Sequence, residues 1–143
     1  MYTRWGFKEL ISSGVIDIVQ PDMSHAGGIW ESRKIAAMAE CYDMGVAPHC
    51  PLGPIALASC IQLDFCTPNA FIQEQSLNIH VEGRGDPCYL TSGWTYHGGW
   101  IDRPTKPGLG IEVDEEKVRA AAKVGHDWHN TVLHLADGTP IDW

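Results

Sequence analysis

Apolar and polar positions follow one another in blocks along the first half of the chain, and the blocks read as a strand–helix series. Phe7 to Ser13 is a short helical stretch closed by Gly14, a glycine at the position where helices commonly end. Val15 to Gln20 is a β-rich run broken by Pro21, and Ser24-His25-Ala26-Gly27-Gly28 is a turn into a helix from about Ile29 to Tyr42. On that helix Ile35, Met38 and Ala39 share a face, while Glu31, Arg33, Lys34 and Glu40 supply the polar side. Gly45 closes the unit, Val46-Ala47-Pro48-His49 starts a second strand, and Cys50-Pro51-Leu52-Gly53-Pro54 is a rigid loop. Ile55 to Phe65 has only Ser59, Gln62 and Asp64 as polar residues, which predicts a helix buried over most of its surface. Thr67-Pro68-Asn69 is a turn and Ala70 to Gln75 a third strand. Strands alternating with helices predict a parallel α/β arrangement.

After Ser76 the texture changes. The chain becomes rich in Gly, Pro, Trp and Tyr, with short strands predicted around Trp94–Tyr96 and Trp100–Asp102 and a tight turn at Pro107-Gly108-Leu109-Gly110. Ile111-Glu112-Val113 is a short strand, and Asp114 can cap a helix from Glu115 to about Lys123. The tail from Gly125 has no clear period. The expected organisation is therefore one domain, with strand–helix units over 1–76 and an extension over 77–143 that packs on them.

Three of the apolar runs end in an ionisable residue: Asp22, His49 and Glu74, separated by 27 and 25 residues. That is about the length of one strand–helix unit. In a (β/α) barrel, successive strand ends meet on one rim, where the chemistry of that fold sits. On adjacent strand ends Asp22 can hold one imidazole nitrogen of His49, fix its tautomer and stabilise its cation, leaving the other nitrogen as a base. The plainer alternative is that Asp22 caps the following helix and His49 is a satisfied, half-buried side chain. Glu74 lies between Gln73 and Gln75 and is either a third site residue or an ordinary paired glutamate. His25 with Gly27-Gly28 weakly suggests an anion-binding turn, and His25, His49 and Cys50 lack the ligand spacing of a zinc site.

Composition narrows the class of protein. At 143 residues the chain suffices for one domain with a real core but falls short of the roughly 250 residues of a complete (β/α)₈ barrel. A formal charge of −8 argues against nucleic acid and anionic membranes as partners. With no long apolar run and no signal-peptide core after Met1, a cytoplasmic location is expected. The five cysteines contain no C-x-x-C pair, and Cys41 and Cys60 read as small buried hydrophobes. The six tryptophans are expected to pack on the outside of the barrel rather than to stack on a carbohydrate.

The wording of the chain carries further. Val19-Gln20-Pro21-Asp22-Met23-Ser24-His25-Ala26-Gly27-Gly28, Ala47-Pro48-His49-Cys50-Pro51-Leu52-Gly53-Pro54-Ile55-Ala56 and Asn69-Ala70-Phe71-Ile72-Gln73-Glu74-Gln75 resemble the enolase superfamily, in the order that family has them. Within it they are most similar to the galactonate dehydratase type of the mandelate racemase/muconate lactonizing enzyme subgroup. The similarity continues through Pro107 to Glu115 and Gly125 to Asn130, so it covers most of the chain. The resemblance implies the C-terminal part of a (β/α) TIM-type barrel, about its last three strand–helix units plus an extension.

It also implies a carbon–oxygen lyase of acid-sugar breakdown. In the family, magnesium binds the carboxylate of a sugar acid and stabilises the enediolate formed when the α-proton leaves; the 3-hydroxyl then departs as water, giving a 2-keto-3-deoxy acid. The base maps onto His49, its orienting partner onto Asp22, and a hydrogen bond to the intermediate's carboxylate oxygen onto Glu74. The family's carboxylate metal ligands, its general-acid histidine and its capping domain correspond to positions upstream of Met1. The resemblance thus predicts no metal ligand in this chain, no tight magnesium binding and no turnover by the chain alone. Val81 to Gly93 and Thr131-Val132-Leu133-His134-Leu135 depart from the pattern. Open strand edges predict self-association, or pairing with a chain that supplies the rest of the barrel. The alternatives are a non-catalytic half-barrel that binds partners through those edges and another acid-sugar dehydratase or racemase of the superfamily.

Overall fold

The computed structural model describes residues 1–75, 89–125 and 133–141. Helix α1 (Thr3–Ser13) leads, and Gly14 ends it in the left-handed region (φ 66°), its N–H on the Ile11 carbonyl. Strand β1 (Ile18–Val19), helix α2 (Gly28–Glu40), strand β2 (Gly45–Val46) and helix α3 (Pro54–Asp64) follow. β1 and β2 are parallel, with Ile18 opposite Gly45 and Val19 opposite Val46. Val46 then bridges to Ala70, also parallel.

The strands are shorter than the apolar runs predict. Pro21 and Pro48 stand two residues beyond the paired Val19 and Val46, and proline has no N–H to extend a ladder. The run from Ala70 to Gln75, expected as a full third strand, pairs among the described residues only at Ala70, with Phe71 N–H donating to the Val46 carbonyl at 3.2 Å. Asn69 sets that edge: its Nδ2 donates to the carbonyls of Ala36 (3.1 Å) and Met44 (2.9 Å), and its own carbonyl accepts from Val46 N–H at 2.8 Å. Asn69→Ala would remove the donor to both backbone carbonyls and is expected to cost about 2 kcal/mol in urea unfolding. A change under a few tenths would mean that water replaces the amide.

Two apolar clusters hold these elements. One joins Phe7 and Ile11 of α1 to Val19, to Ile35, Ala36 and Ala39 of α2, and to Val46. The other joins Met23 and Cys50 to Leu57, Cys60, Ile61 and Leu63 of α3. Trp94 and Ile101, from the second half of the chain, pack against this second cluster, and Gln62 of α3 donates to the Leu109 carbonyl at 3.1 Å. The packing of α3 agrees with its composition. Cys41 does not follow the expectation for it: it lies just past the buried face at Ala39, on the exposed side, where its thiol donates to the Ala37 carbonyl.

The second half begins with β3 (Leu90–Ser92), which pairs antiparallel with β6 (Glu112–Val113). Between them β4 (Tyr96–His97) and β5 (Trp100–Ile101) form a hairpin whose two-residue turn, Gly98-Gly99, has positive φ at both positions. Such a turn matches the twist of its strands and favours glycine. Asp114 caps α4 (Glu115–Val124) by accepting from Lys117 N–H at 3.1 Å, as expected. β7 (Leu133–His134) and β8 (Pro140–Ile141) form a last antiparallel pair. The tryptophans do not all pack as expected: Trp5, Trp30 and Trp100 are exposed, while Trp128 and Trp143 lie outside the described residues, as do Cys88 and the boundary at 76 and 77. Among the described residues no helix is long and apolar enough to cross a membrane.

Candidate active site

The register of β1 on β2 pairs residues 27 apart, and Asp22 and His49 are also 27 apart. Each lies three residues past the last paired position of its strand, so the two side chains leave the same end of the sheet side by side. Asp22 Oδ2 stands 2.9 Å from His49 Nδ1. With the proton on Nδ1 as donor to the carboxylate, Nε2 carries the lone pair. Among the described residues Nε2 has no protein partner, and the ring borders a cleft of 450 Å³ shared with Asp22 and His25.

Asp22 is held hard in place. Its Oδ1 accepts from the backbone N–H groups of Ser24 (2.7 Å) and His25 (3.2 Å), and its carbonyl accepts from Ala26 N–H at 2.7 Å. The side chain is 11% exposed. Burial pushes its pKa up, but the hydrogen bonds from His49, His25 and Ser24 outweigh that and hold it below the ordinary carboxylate value. The group therefore stays an anion throughout the neutral range, as a partner for an imidazolium must.

Glu74 joins the same rim at one remove. The bridge of Val46 to Ala70 offsets the third segment by 24 residues, which sets Glu74 opposite Cys50 rather than His49. Glu74 Oε2 accepts from Cys50 N–H at 3.2 Å, and Gln73 Nε2 donates to the Pro48 carbonyl at 2.9 Å. The Glu74 residue is exposed. Cys50 itself is buried behind the rim, its thiol hydrogen-bonded to that of Cys60. That bond and burial push the Cys60 thiol far up, which leaves it a packing group.

All three residues marked by sequence spacing thus meet at one end of the short sheet. Sequence reasoning missed His25 as a member: its Nδ1 lies 3.2 Å from the same Asp22 Oδ2 that His49 uses. The signal that could have found it was the Asp22-x-x-His25 spacing after a strand, since an aspartate that caps such a turn brings the third residue back to itself. Among the described residues no three or more His, Cys, Asp or Glu side chains are grouped so as to hold a metal ion. The residues on the rim therefore do not fit a magnesium centre, and His25, His49 and Cys50 do not form a zinc site.

Comparison with known proteins adds an independent line. The family model for enolase C-terminal domain-like proteins matches residues 1–117. The chain is 50% identical over 147 residues to a D-galactonate dehydratase of Variovorax paradoxus, and 47% identical over 146 residues to one of Cronobacter sakazakii. Each match covers 100% of this chain and 38% of the relative, so the chain spans less than half the length of these curated relatives. Among solved structures, an enolase of Agrobacterium radiobacter with bound Na and L-malate matches with a TM-score of 0.80 at 32% identity, over 98% of this chain and 38% of that one. A mandelate racemase/muconate lactonizing enzyme of Sulfitobacter matches with a TM-score of 0.71 at 37% identity, over 84% of this chain and 29% of that one. The α/β class expected from the alternating strands and helices, and the C-terminal part of a TIM-type barrel that the resemblance implies, both agree with these matches.

Proposed function

The chain belongs to the enolase C-terminal domain-like family, and on that premise we propose that it carries the proton-abstracting half of an acid-sugar dehydratase. His49 Nε2 takes the α-proton of an aldonate; Asp22 holds the ring through Nδ1 and stabilises the imidazolium that forms. Glu74 shares a hydrogen bond with the carboxylate oxygen of the resulting enediolate. Loss of the 3-hydroxyl as water, with a proton from the general-acid histidine that the resemblance places upstream of Met1, gives an enol, and protonation of that enol at C3 gives the 2-keto-3-deoxy acid. The observation that supports this reading above all is the 2.9 Å contact of His49 Nδ1 with Asp22 Oδ2, on strand ends that the sheet register brings level.

Magnesium, which the resemblance implies, has no ligand set among the described residues, and no step above passes through it. The rim supplies only proton handling, and the chain alone is expected to form no keto-deoxy acid. D-galactonate is the first substrate to test, since the curated relatives carry it in their names.

The decisive test is a chimaera in which this chain replaces the matched segment of the Variovorax paradoxus enzyme. With magnesium and D-galactonate it is expected to exchange the C2 proton with solvent and to release the 2-keto-3-deoxy acid. A folded chimaera that does neither would overturn the assignment.

A further inference from the structure

We infer that His25 is a positioning residue for the base, sharing the Asp22 carboxylate with His49 and so governing how much of its charge the base receives. This rests on the reading of Asp22 and His49 given above. A carboxylate offers about four acceptor positions, and three hydrogen-bond donors stand around this one, with the His25 imidazole at ion-pair distance beside them. His49 Nδ1 at 2.9 Å and His25 Nδ1 at 3.2 Å both face Oδ2; the N–H groups of Ser24 at 2.7 Å and His25 at 3.2 Å share Oδ1.

His25 is not free to swing in and out as a surface side chain would be. Its own N–H is tied to Asp22 Oδ1 and to the Asp22 carbonyl (3.1 Å), so the turn that fixes its backbone is built on the carboxylate it touches. The imidazole is 56% exposed and lies on the same cleft as His49, where solvent protons reach it. Besides the two rings, the titratable groups around Asp22 are the amino terminus at Met1 and Tyr2 across the cleft, the Cys50 and Cys60 thiols behind the rim, and Glu74 on the Cys50 N–H.

The chemical consequence follows from charge. When His49 accepts a proton, Oδ2 must stabilise a cation. A neutral His25 takes part of the oxygen's accepting power but adds no charge. A protonated His25 places a second cation 3.2 Å from that oxygen and opposes the first. Both rings therefore draw on one carboxylate oxygen.

The test is an NMR titration of the 143-residue chain, following the Asp22 carboxyl carbon and the Nδ1–H resonance of His49. His25→Ala removes one of the hydrogen bonds that lower Asp22 and is expected to weaken its acidity roughly fivefold. The His49 Nδ1–H signal is expected to move downfield as its bond to the unshared oxygen tightens. His25→Gln, a neutral donor, is expected to restore part of both shifts. If His25→Ala leaves both signals at their wild-type positions while His49→Ala still weakens Asp22, His25 has no such role and the base pair stands. If His49→Ala also leaves Asp22 unmoved, the pair itself is refuted and the inference falls with it.

Discussion

His49→Asn in the chimaera is expected to abolish C2-proton exchange, a loss of at least about 10³-fold, near the upper range for removal of a general base. The substitution is chosen because it isolates basicity from position. An asparagine amide can still donate to Asp22 Oδ2, where the ring now lies at 2.9 Å, so the rim keeps its hydrogen bond. What is lost is a nitrogen able to accept a proton. Deuterium wash-in at C2, followed by proton NMR in heavy water, reads the step directly and does not depend on later loss of the hydroxyl. Asp22→Asn is expected to impair exchange, since the ring would lose both its preferred tautomer and the anion that stabilises its cation. Exchange at the normal rate in His49→Asn would remove this residue as the base, whatever the fate of the dehydration.

Asp64→Asn is expected to stabilise the chain, and to do so in a pH-dependent way. Asp64 is the last residue of α3, and its Oδ1 is buried with no hydrogen-bond partner among the described residues. Burial pushes its pKa from 3.8 up to about 7. Between those values the folded chain holds a proton that the unfolded chain has lost. Stability therefore falls as the pH rises from about 4 to about 7, and above that the full cost of the buried charge applies. The shift corresponds to roughly 2–4 kcal/mol once partial exposure is allowed for. Urea unfolding of the variant is expected to show this gain at about pH 8 and little of it at about pH 4. An equal gain at both pH values would show that the effect is packing and not charge.

The spacing of Asp22 and His49 was legible in the sequence because a parallel register and a strand–helix repeat are the same number seen twice. Both come to 27 residues, so the side chains fall level. Glu74 shows where that reasoning stops. Its offset of 24 from Cys50 follows from the single bridge at Ala70, and no pattern of apolar residues specifies where a bridge forms. Helices were legible in type and nearly in extent, since Gly14 and Asp114 mark an end and a start by local chemistry. Which way a lone side chain faces was not. Cys41 and Trp30 are apolar residues on or at the end of a helix with a buried face, yet they emerge on the solvent side, because helical rotation decides their direction. His25 was hidden for another reason: its partner is reached through a turn, and turns leave no periodic trace.

Pro21 and Pro48 cut the ladder one residue before Asp22 and His49. Asp22 and His49 thus belong to backbone that owes no hydrogen bond to a neighbouring strand, while the paired segment beneath keeps them level. Such an arrangement separates heritable variation into two compartments. Below the prolines, a one-residue insertion would slip the register and turn every side chain over. Above them, the loops after Asp22 and His49 can lengthen, shorten or change composition without disturbing the sheet. A fold built this way can change the surface around Asp22 and His49 by editing its rim alone, and keep the two side chains level through the change.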